Sequence, residues 1–451
     1  MKGIGHCVNR ILDGDDCVAS GQSTQRRNYL LGVLNSVFIQ LSMNLSHPSL
    51  VLSVFVRALG GSNMLIGLLP AIRFGMWFLP QFLVAGWVQT RRRKLPLAVA
   101  LEIFRASVYG TLALMAYTLG RSHPTLALLL FFGLFTSTRL TAGIGGLVRL
   151  DIIGKIIPSA RRASFFATRN MWGGVVVFCA GFLVRYMLDD TRGPAFPINF
   201  TLLLGLSCGL FLVATLVLSR IKEPPASGLP PRHSFREQLA RAPEMLKRDP
   251  SLRRYLLARI LLSMTRLSEP FYPVFALDVL GAPASMMGFY LSAMTLAGVL
   301  SNLLWQRVGR ARGTRFLVKS ASLLTVLVPV LAVALPWLLR RLGFTVAEYG
   351  LLPAYLFTTV FVVAGSSNSG RDVGLTALLL DTAPAEERPS YIGLVNTVLG
   401  FVNFLPILAG AVVDRVGFQP IFFTAAALLL LGYLVMLGWR PAGESRQPET
   451  L

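Results

Sequence analysis

The chain has 451 residues, 54% of them hydrophobic and 14% charged, with a formal net charge of +22 and a mean hydropathy of +0.61. A soluble protein of this size carries about a quarter charged residues, so the composition is that of a membrane protein rather than a soluble one. Basic clusters alternating with apolar runs, and no base-reading motif, also set nucleic acid aside as a partner.

The apolar runs recur from end to end, each long enough for a helix to cross a bilayer, which takes about 18 residues or more. A polar leader, residues 1–28, precedes them without the pattern of a cleaved signal peptide. Six spans then follow: residues 29–56, 64–88, 95–119, 125–148, 166–187 and 196–218. Residues 219–254 form the longest polar stretch. It opens on Lys222-Glu223-Pro224-Pro225, an extended linker, and Ser234 to Leu246 has the spacing of a surface helix. Six more spans follow at 255–279, 285–305, 316–339, 351–380, 391–413 and 420–439, and a polar tail, 440–451, ends the chain. The expected fold is an all-α polytopic membrane protein, with twelve transmembrane helices in two pseudo-symmetric six-helix bundles, 29–218 and 255–439. Basic loops follow the even-numbered spans, which puts both termini in the cytoplasm of a cell membrane. Arginine-rich composition points to a bacterial inner membrane.

Two phrases repeat. Leu45-Ser46-His47-Pro48 lies inside the first span and Leu267-Ser268-Glu269-Pro270 inside the seventh. Each is followed by a second signature, Leu59-Gly60 then Gly67, and Leu280-Gly281 then Gly288. The fourth span ends at Leu150-Asp151 and the tenth at Leu380-Asp381. A titratable side chain beside a proline is costly in hydrocarbon, so both breaks are expected to face protein or water. Matching breaks in two halves mark a duplicated bundle with a polar centre.

Polar residues within the spans are the candidate site. Glu269, three residues after Arg266, shares its helical face. It is a proton or substrate site, or else half of an ion pair bracing Pro270. His47, with Asn44 one turn earlier, is its counterpart. It titrates near neutrality, or is only hydrogen-bonded to a neighbouring helix. The tenth span holds Gly365-Ser366-Ser367-Asn368-Ser369-Gly370-Arg371-Asp372, too polar to face lipid all round. Arg371 and Asp372 are adjacent and so point about 100° apart. Arg139 in the fourth span and Arg73 in the second face the interior. The candidate solute set is Asn44, His47, Arg139, Arg266, Glu269, Asn368, Arg371 and Asp372, with Glu269, Asp372 and His47 as proton-coupling candidates. Asn396 and Asn403 read as glue between helices, Glu102 and Arg105 as an i,i+3 structural pair, and Arg169, Arg185, Arg259 and Lys319 as side chains snorkelling from span ends. Arg73, Arg139, Arg266 and Arg371 outnumber Glu269 and Asp372, and an excess of fixed cation favours an anionic guest.

Between the eighth and ninth spans stands Asn302-Leu303-Leu304-Trp305-Gln306-Arg307-Val308-Gly309-Arg310, and between the second and third Gly86-Trp87-Val88-Gln89-Thr90-Arg91-Arg92-Arg93-Lys94. With the two six-span halves and the long central loop, these resemble the major facilitator superfamily, whose loop motif is Gly-x-x-x-Asp-Arg-x-Gly-Arg-Arg/Lys. The resemblance spans essentially the whole chain. Gln306 stands where the family has Asp. The resemblance implies a gating motif at Arg91, Arg92, Gln306, Arg307, Gly309 and Arg310. It also implies a central cavity lined by spans one, four, seven and ten, and alternating access of the two halves.

The function read from these features is secondary active transport of a small organic solute, with protons as the coupling partner, no cofactor, and a monomer in the bilayer. A multidrug-type exporter is the alternative on the same fold, although the Gly-Pro signature of such exporters is missing from the fifth span. A non-transporting receptor or scaffold is a third reading. No Walker motif, no histidine cluster for a metal, and no serine in Gly143-Ile144-Gly145-Gly146 speak for an enzyme or an ATP-driven pump.

Overall fold

The computed structural model describes residues 5–89, 91, 93–225, 244–343, 349–382 and 388–438. Arg92, most of the central polar stretch and the tail lie outside them, and the side chain of Asp381 is not described.

The described chain is helical: α1 Gly5–Leu45, a π turn Pro48–Leu52, α2 Ser53–Ala58, α3 Asn63–Gln89, α4 Leu95–Leu119, α5 Pro124–Ile156, α6 Ser159–Met187, α7 Ile198–Ser219, α8 Pro250–Leu262, α9 Thr265–Ser268, α10 Phe271–Leu280, α11 Met286–Arg341, α12 Leu352–Thr382, α13 Arg388–Val402, α14 Leu405–Val416 and α15 Phe418–Leu437. Among the described residues, eight helical segments are long and apolar enough to cross a membrane. Several boundaries differ from expectation. Helical backbone begins at Gly5 and runs without a break into the first apolar run. The eighth and ninth runs are two helices, together α11, that meet at a kink in the basic connection between them. Its one non-helical residue is Gly313 (φ 78°), a conformation that glycine adopts without steric cost. The eleventh run is split between α13 and α14 around Asn403.

Both repeated phrases break their helices. α1 stops at Leu45, and Pro48, which lacks an N–H, opens the π turn. α8 gives way at Ser263 to the short α9, and Pro270 precedes α10. The second signature also has one structural meaning in both copies. Gly60 (φ 78°) and Gly281 (φ 60°) end their segments in the left-handed region. Seven residues later, Gly67 and Gly288 stand where the first and second parts of the chain come close. A Cβ at Gly67 would strike the carbonyl of Pro406 on α14, and one at Gly288 would strike Gly181 and Arg185 on α6.

Helices α1 and α3–α7 pack on one another, as do α8–α12 and α15, and the two sets meet chiefly through α3 with α14 and α6 with α11. At one end the seam is closed. Arg57 pairs with Asp278 across it. The Asp414 carboxylate accepts from the backbone N–H groups of Asn63 and Met64 at 3.0 Å each and from the Asn63 amide at 2.8 Å. It thus caps α3 from α14, a contribution of about 1 kcal/mol. The contact continues down α3 to Gly75, where Phe404 leaves no room for a side chain. The Arg57 pair is partly exposed and adds only about 0–1 kcal/mol. Phe55, Phe131, Phe275 and Phe357 are buried in one apolar cluster at this end, and burial of that kind contributes more than the partly exposed ion pair.

At the opposite end the start of the linker is anchored. The Glu223 side chain is 1% exposed and ion-paired to Lys155 at 2.8 Å. It accepts from the N–H of Lys94 (2.8 Å) and of Leu95 (2.7 Å), two of the orphan donors that begin α4. Asp151 joins the group, 2.9 Å from Lys94 and 3.1 Å from Lys155. The extended reading of the linker described its backbone and missed this carboxylate. Glu223→Ala would remove one of the two carboxylate partners of Lys155 and the acceptor of two part-buried N–H groups at once. It is expected to cost about 3 kcal/mol, read as a lower unfolding temperature of the purified protein, with Glu223→Gln falling in between.

Candidate functional site

Between the closed seam and the Glu223 end lies a cavity of about 560 Å³, within the usual range for a small-molecule site. It is lined by Arg73, Arg105, Arg139, Arg149, Arg259 and Arg266, with Asp372 as the lining carboxylate and Met43, Phe74, Trp77, Ala142 and Thr376 between them. It reaches from mid-helix toward the Glu223 end: Arg149 stands six residues before Lys155 on α5.

The arginines are held by rings and neutral groups far more than by carboxylates. Arg139 donates to the Tyr109 hydroxyl (2.9 Å), which also receives a hydrogen bond from Ser46 of the first repeated phrase (3.1 Å). Its guanidinium lies 4.9 Å from the Phe135 ring centre. Arg73 stands 3.5 Å from Nε2 of His47, which acts there as a neutral acceptor. Arg73 from α3 and Arg266 from α9 approach the same ring, Phe74, at 5.4 Å and 4.7 Å. Arg105 is 1% exposed and rests on Phe211 at 4.3 Å. Such cation–π contacts return about 2 kcal/mol when desolvated, which is less than the cost of burying the charge. Arg149 has a carboxylate partner, Glu102, at 3.3 Å. Among the described residues the other five lining arginines have none within 4.0 Å. Among these lining arginines four guanidinium nitrogens are buried without a hydrogen-bond partner among the described residues: Nε and Nη2 of Arg105, Nε of Arg259 and Nη1 of Arg266.

Of the solute set expected from sequence, Arg139, Arg266 and Asp372 line the cavity. Asn44 donates to its own helix at Gln40 (2.7 Å). His47 is buried beside Arg73, with Nδ1 unpartnered. Arg371 turns away from the cavity to the Thr265 hydroxyl (3.1 Å), the Leu262 carbonyl (3.3 Å) and the side chain of Asn368 (2.8 Å). Asp372, 100° around the helix, is open to the cavity, its side chain 70% exposed. Glu269 is half-buried and makes no ion pair with Arg266 within 4.0 Å, so bracing by that pair is not what the structure shows.

Three readings need correction. Glu102 pairs with Arg149 of α5 rather than with Arg105, because α4 and α5 pack closely enough for a cross-helix contact to displace the i,i+3 one. Arg259 reaches inward to the cavity instead of snorkelling, since α8 lies beside it. Asn403 joins no helices: it is 1% exposed, at the α13–α14 break, with both amide atoms unpartnered. Arg105, Arg149 and Arg259 are thus site residues that the sequence did not single out. Arginines within apolar runs were the available signal. Span-edge position and a nearby Glu102 concealed it. In the loop motif, Gln306, Arg307 and Arg310 are exposed and Gly309 half-buried on α11, Arg91 is exposed, and Arg92 lies outside the described residues.

Residues 341–451 match the family model of the Major Facilitator Superfamily. No curated protein sequence matches the chain. Over nearly its whole length the fold is similar to solved transporters. These include the nucleoside transporter NupG (14% identity, TM-score 0.66, covering 91% of this chain and 99% of that one). A D-xylose–proton symporter (14%, 0.64, 94% and 99%) and a bacterial metal transporter (14%, 0.62, 92% and 98%) are also similar.

Proposed function

We propose that this chain, which has the fold of Major Facilitator Superfamily transporters, is a secondary active transporter that carries a small organic anion across the membrane by alternating access. Five cavity arginines without a carboxylate within 4.0 Å carry this reading. A fixed excess of cation in a low-dielectric site attracts negative guests and repels positive ones, and water-poor walls strengthen the effect. The seam supports the access cycle. Close packing of α3 on α14 and of α6 on α11 seals one end while the cavity lies toward the other. In this reading twelve spans form two six-helix bundles. The Glu223 end faces the cytoplasm with both termini, and the state described is open inward, in a bacterial inner membrane.

Arg139→Ala and Arg266→Ala are expected to lower uptake of an anionic solute into proteoliposomes at least tenfold. Preference for cations, with both variants fully active, would refute the reading. A proton is the proposed coupling ion, with Glu269 as its carrier: a half-buried carboxylate at a helix break, with no ion-pair partner within 4.0 Å among the described residues. Glu269→Gln is expected to keep downhill exchange and lose accumulation driven by a pH gradient. Accumulation that survives this change would remove Glu269 from the coupling step.

A further inference from the structure

We infer that the cavity selects multivalent oxyanions, solutes bearing two or more negative charges on carboxylate or phosphoryl groups, over monovalent ones. The inference rests on the anion-transport reading and makes the guest specific. The lining belongs to both parts of the chain: Arg73, Arg105, Arg139 and Arg149 come from α3, α4 and α5, and Arg259 and Arg266 from α8 and α9. A single carboxylate on the guest reaches one or two guanidiniums and leaves the others facing each other across the cavity. A second anionic group meets those on the other wall. Guanidinium presents a planar fork of donors that matches carboxylate and phosphoryl oxygens two at a time.

The buried donors make the same point independently of the charge tally. Arg105 is 99% buried, lines the cavity and has two N–H-bearing nitrogens without a partner. Arg259 and Arg266, from the second part of the chain, each have one. Almost all buried polar groups in native proteins are satisfied. All three arginines line the cavity, so a guest with acceptors at both of its ends meets guanidiniums from both parts of the chain. The apolar share of the lining, Phe74 and Trp77, already serves the arginines: Arg73 and Arg266 both lie over Phe74. Charge number, rather than a hydrophobic body, is therefore what the site reads.

The test is titration calorimetry of the full-length protein in detergent at constant ionic strength. Acetate, succinate and citrate form one series, and methyl sulfate, inorganic phosphate and pyrophosphate the other. The expected result is at least tenfold tighter binding from the monovalent to the most highly charged member of at least one series. The series that binds tells carboxylate guests from phosphoryl ones. Arg105→Lys and Arg266→Lys keep the charge and lose the fork. Each is expected to weaken citrate or pyrophosphate at least fivefold, and by a larger factor than it weakens acetate. Arg259→Lys provides a third arm should either fail to fold. Equal affinity across both series, or binding confined to the monovalent members, overturns the inference and leaves anion transport standing. Uptake of cationic solutes with no anion bound overturns both.

Discussion

Arg105→Met is expected to stabilise the unliganded protein and to abolish its response to anions. Arg105 is almost wholly buried, and no carboxylate lies within 4.0 Å of it among the described residues. Two of its nitrogens have no acceptor, and only the Phe211 ring offers compensation. Replacing buried ionic groups by apolar side chains of similar volume is commonly neutral or stabilising, by about 1–4 kcal/mol. Methionine follows the same path along the helix and packs on Phe211. Thermal unfolding in detergent should show a higher midpoint for Arg105→Met without anion. Wild type should rise when citrate or pyrophosphate is added, by mass action on the folded state, and the variant should not. A lower midpoint, with the anion-induced rise intact, would make Arg105 a structural residue.

Gly67→Val should have the second large effect. The α3–α14 seam closes because Gly67 lets the helix backbone meet the Pro406 carbonyl, with Asp414 capping α3 a turn away. A branched side chain there cannot be accommodated without parting the helices, and overpacking of this kind costs about 1–3 kcal/mol. The cost falls on the conformer closed at this end alone, so the equilibrium shifts toward the one open at it. Transport should fall at least tenfold. A cysteine at Ala142, in a chain cleared of its four native cysteines, should become reactive to a membrane-impermeant thiol reagent applied at the Arg57 end. Unchanged labelling, with transport retained, would mean that this seam does not open during turnover. Asp414→Asn, which weakens the cap without a clash, should move both readouts in the same direction and less far.

The duplication was the most legible feature of the sequence. His47-Pro48 and Glu269-Pro270 both interrupt helices, and the glycines that follow them fall at turns and at the inter-half seam. A backbone requirement for proline or glycine is local, so it survives in a single sequence. The site was only partly legible. Arg139, Arg266 and Asp372 lie mid-run, where charge is conspicuous, and they line the cavity. Arg259 and Arg149 lie near run ends, where snorkelling is the cheaper reading, and only the packing of α8 and α5 turns them inward. The pairing of Glu102 with Arg149, 47 residues away, and of Glu223 with Lys155, 68 residues away, has no local signature. Run boundaries were less legible at the eleventh run, which α13 and α14 divide around Asn403.

The central claim is that unpaired arginines make this cavity a carrier site for anions. It is tested most directly by counterflow in proteoliposomes loaded with a size-matched set of small solutes, one anionic, one neutral and one cationic. The account predicts exchange of the anion at least tenfold faster than of either of the others, lost in Arg139→Ala and Arg266→Ala. Faster exchange of the neutral or cationic solute, unaffected by those substitutions, would contradict it.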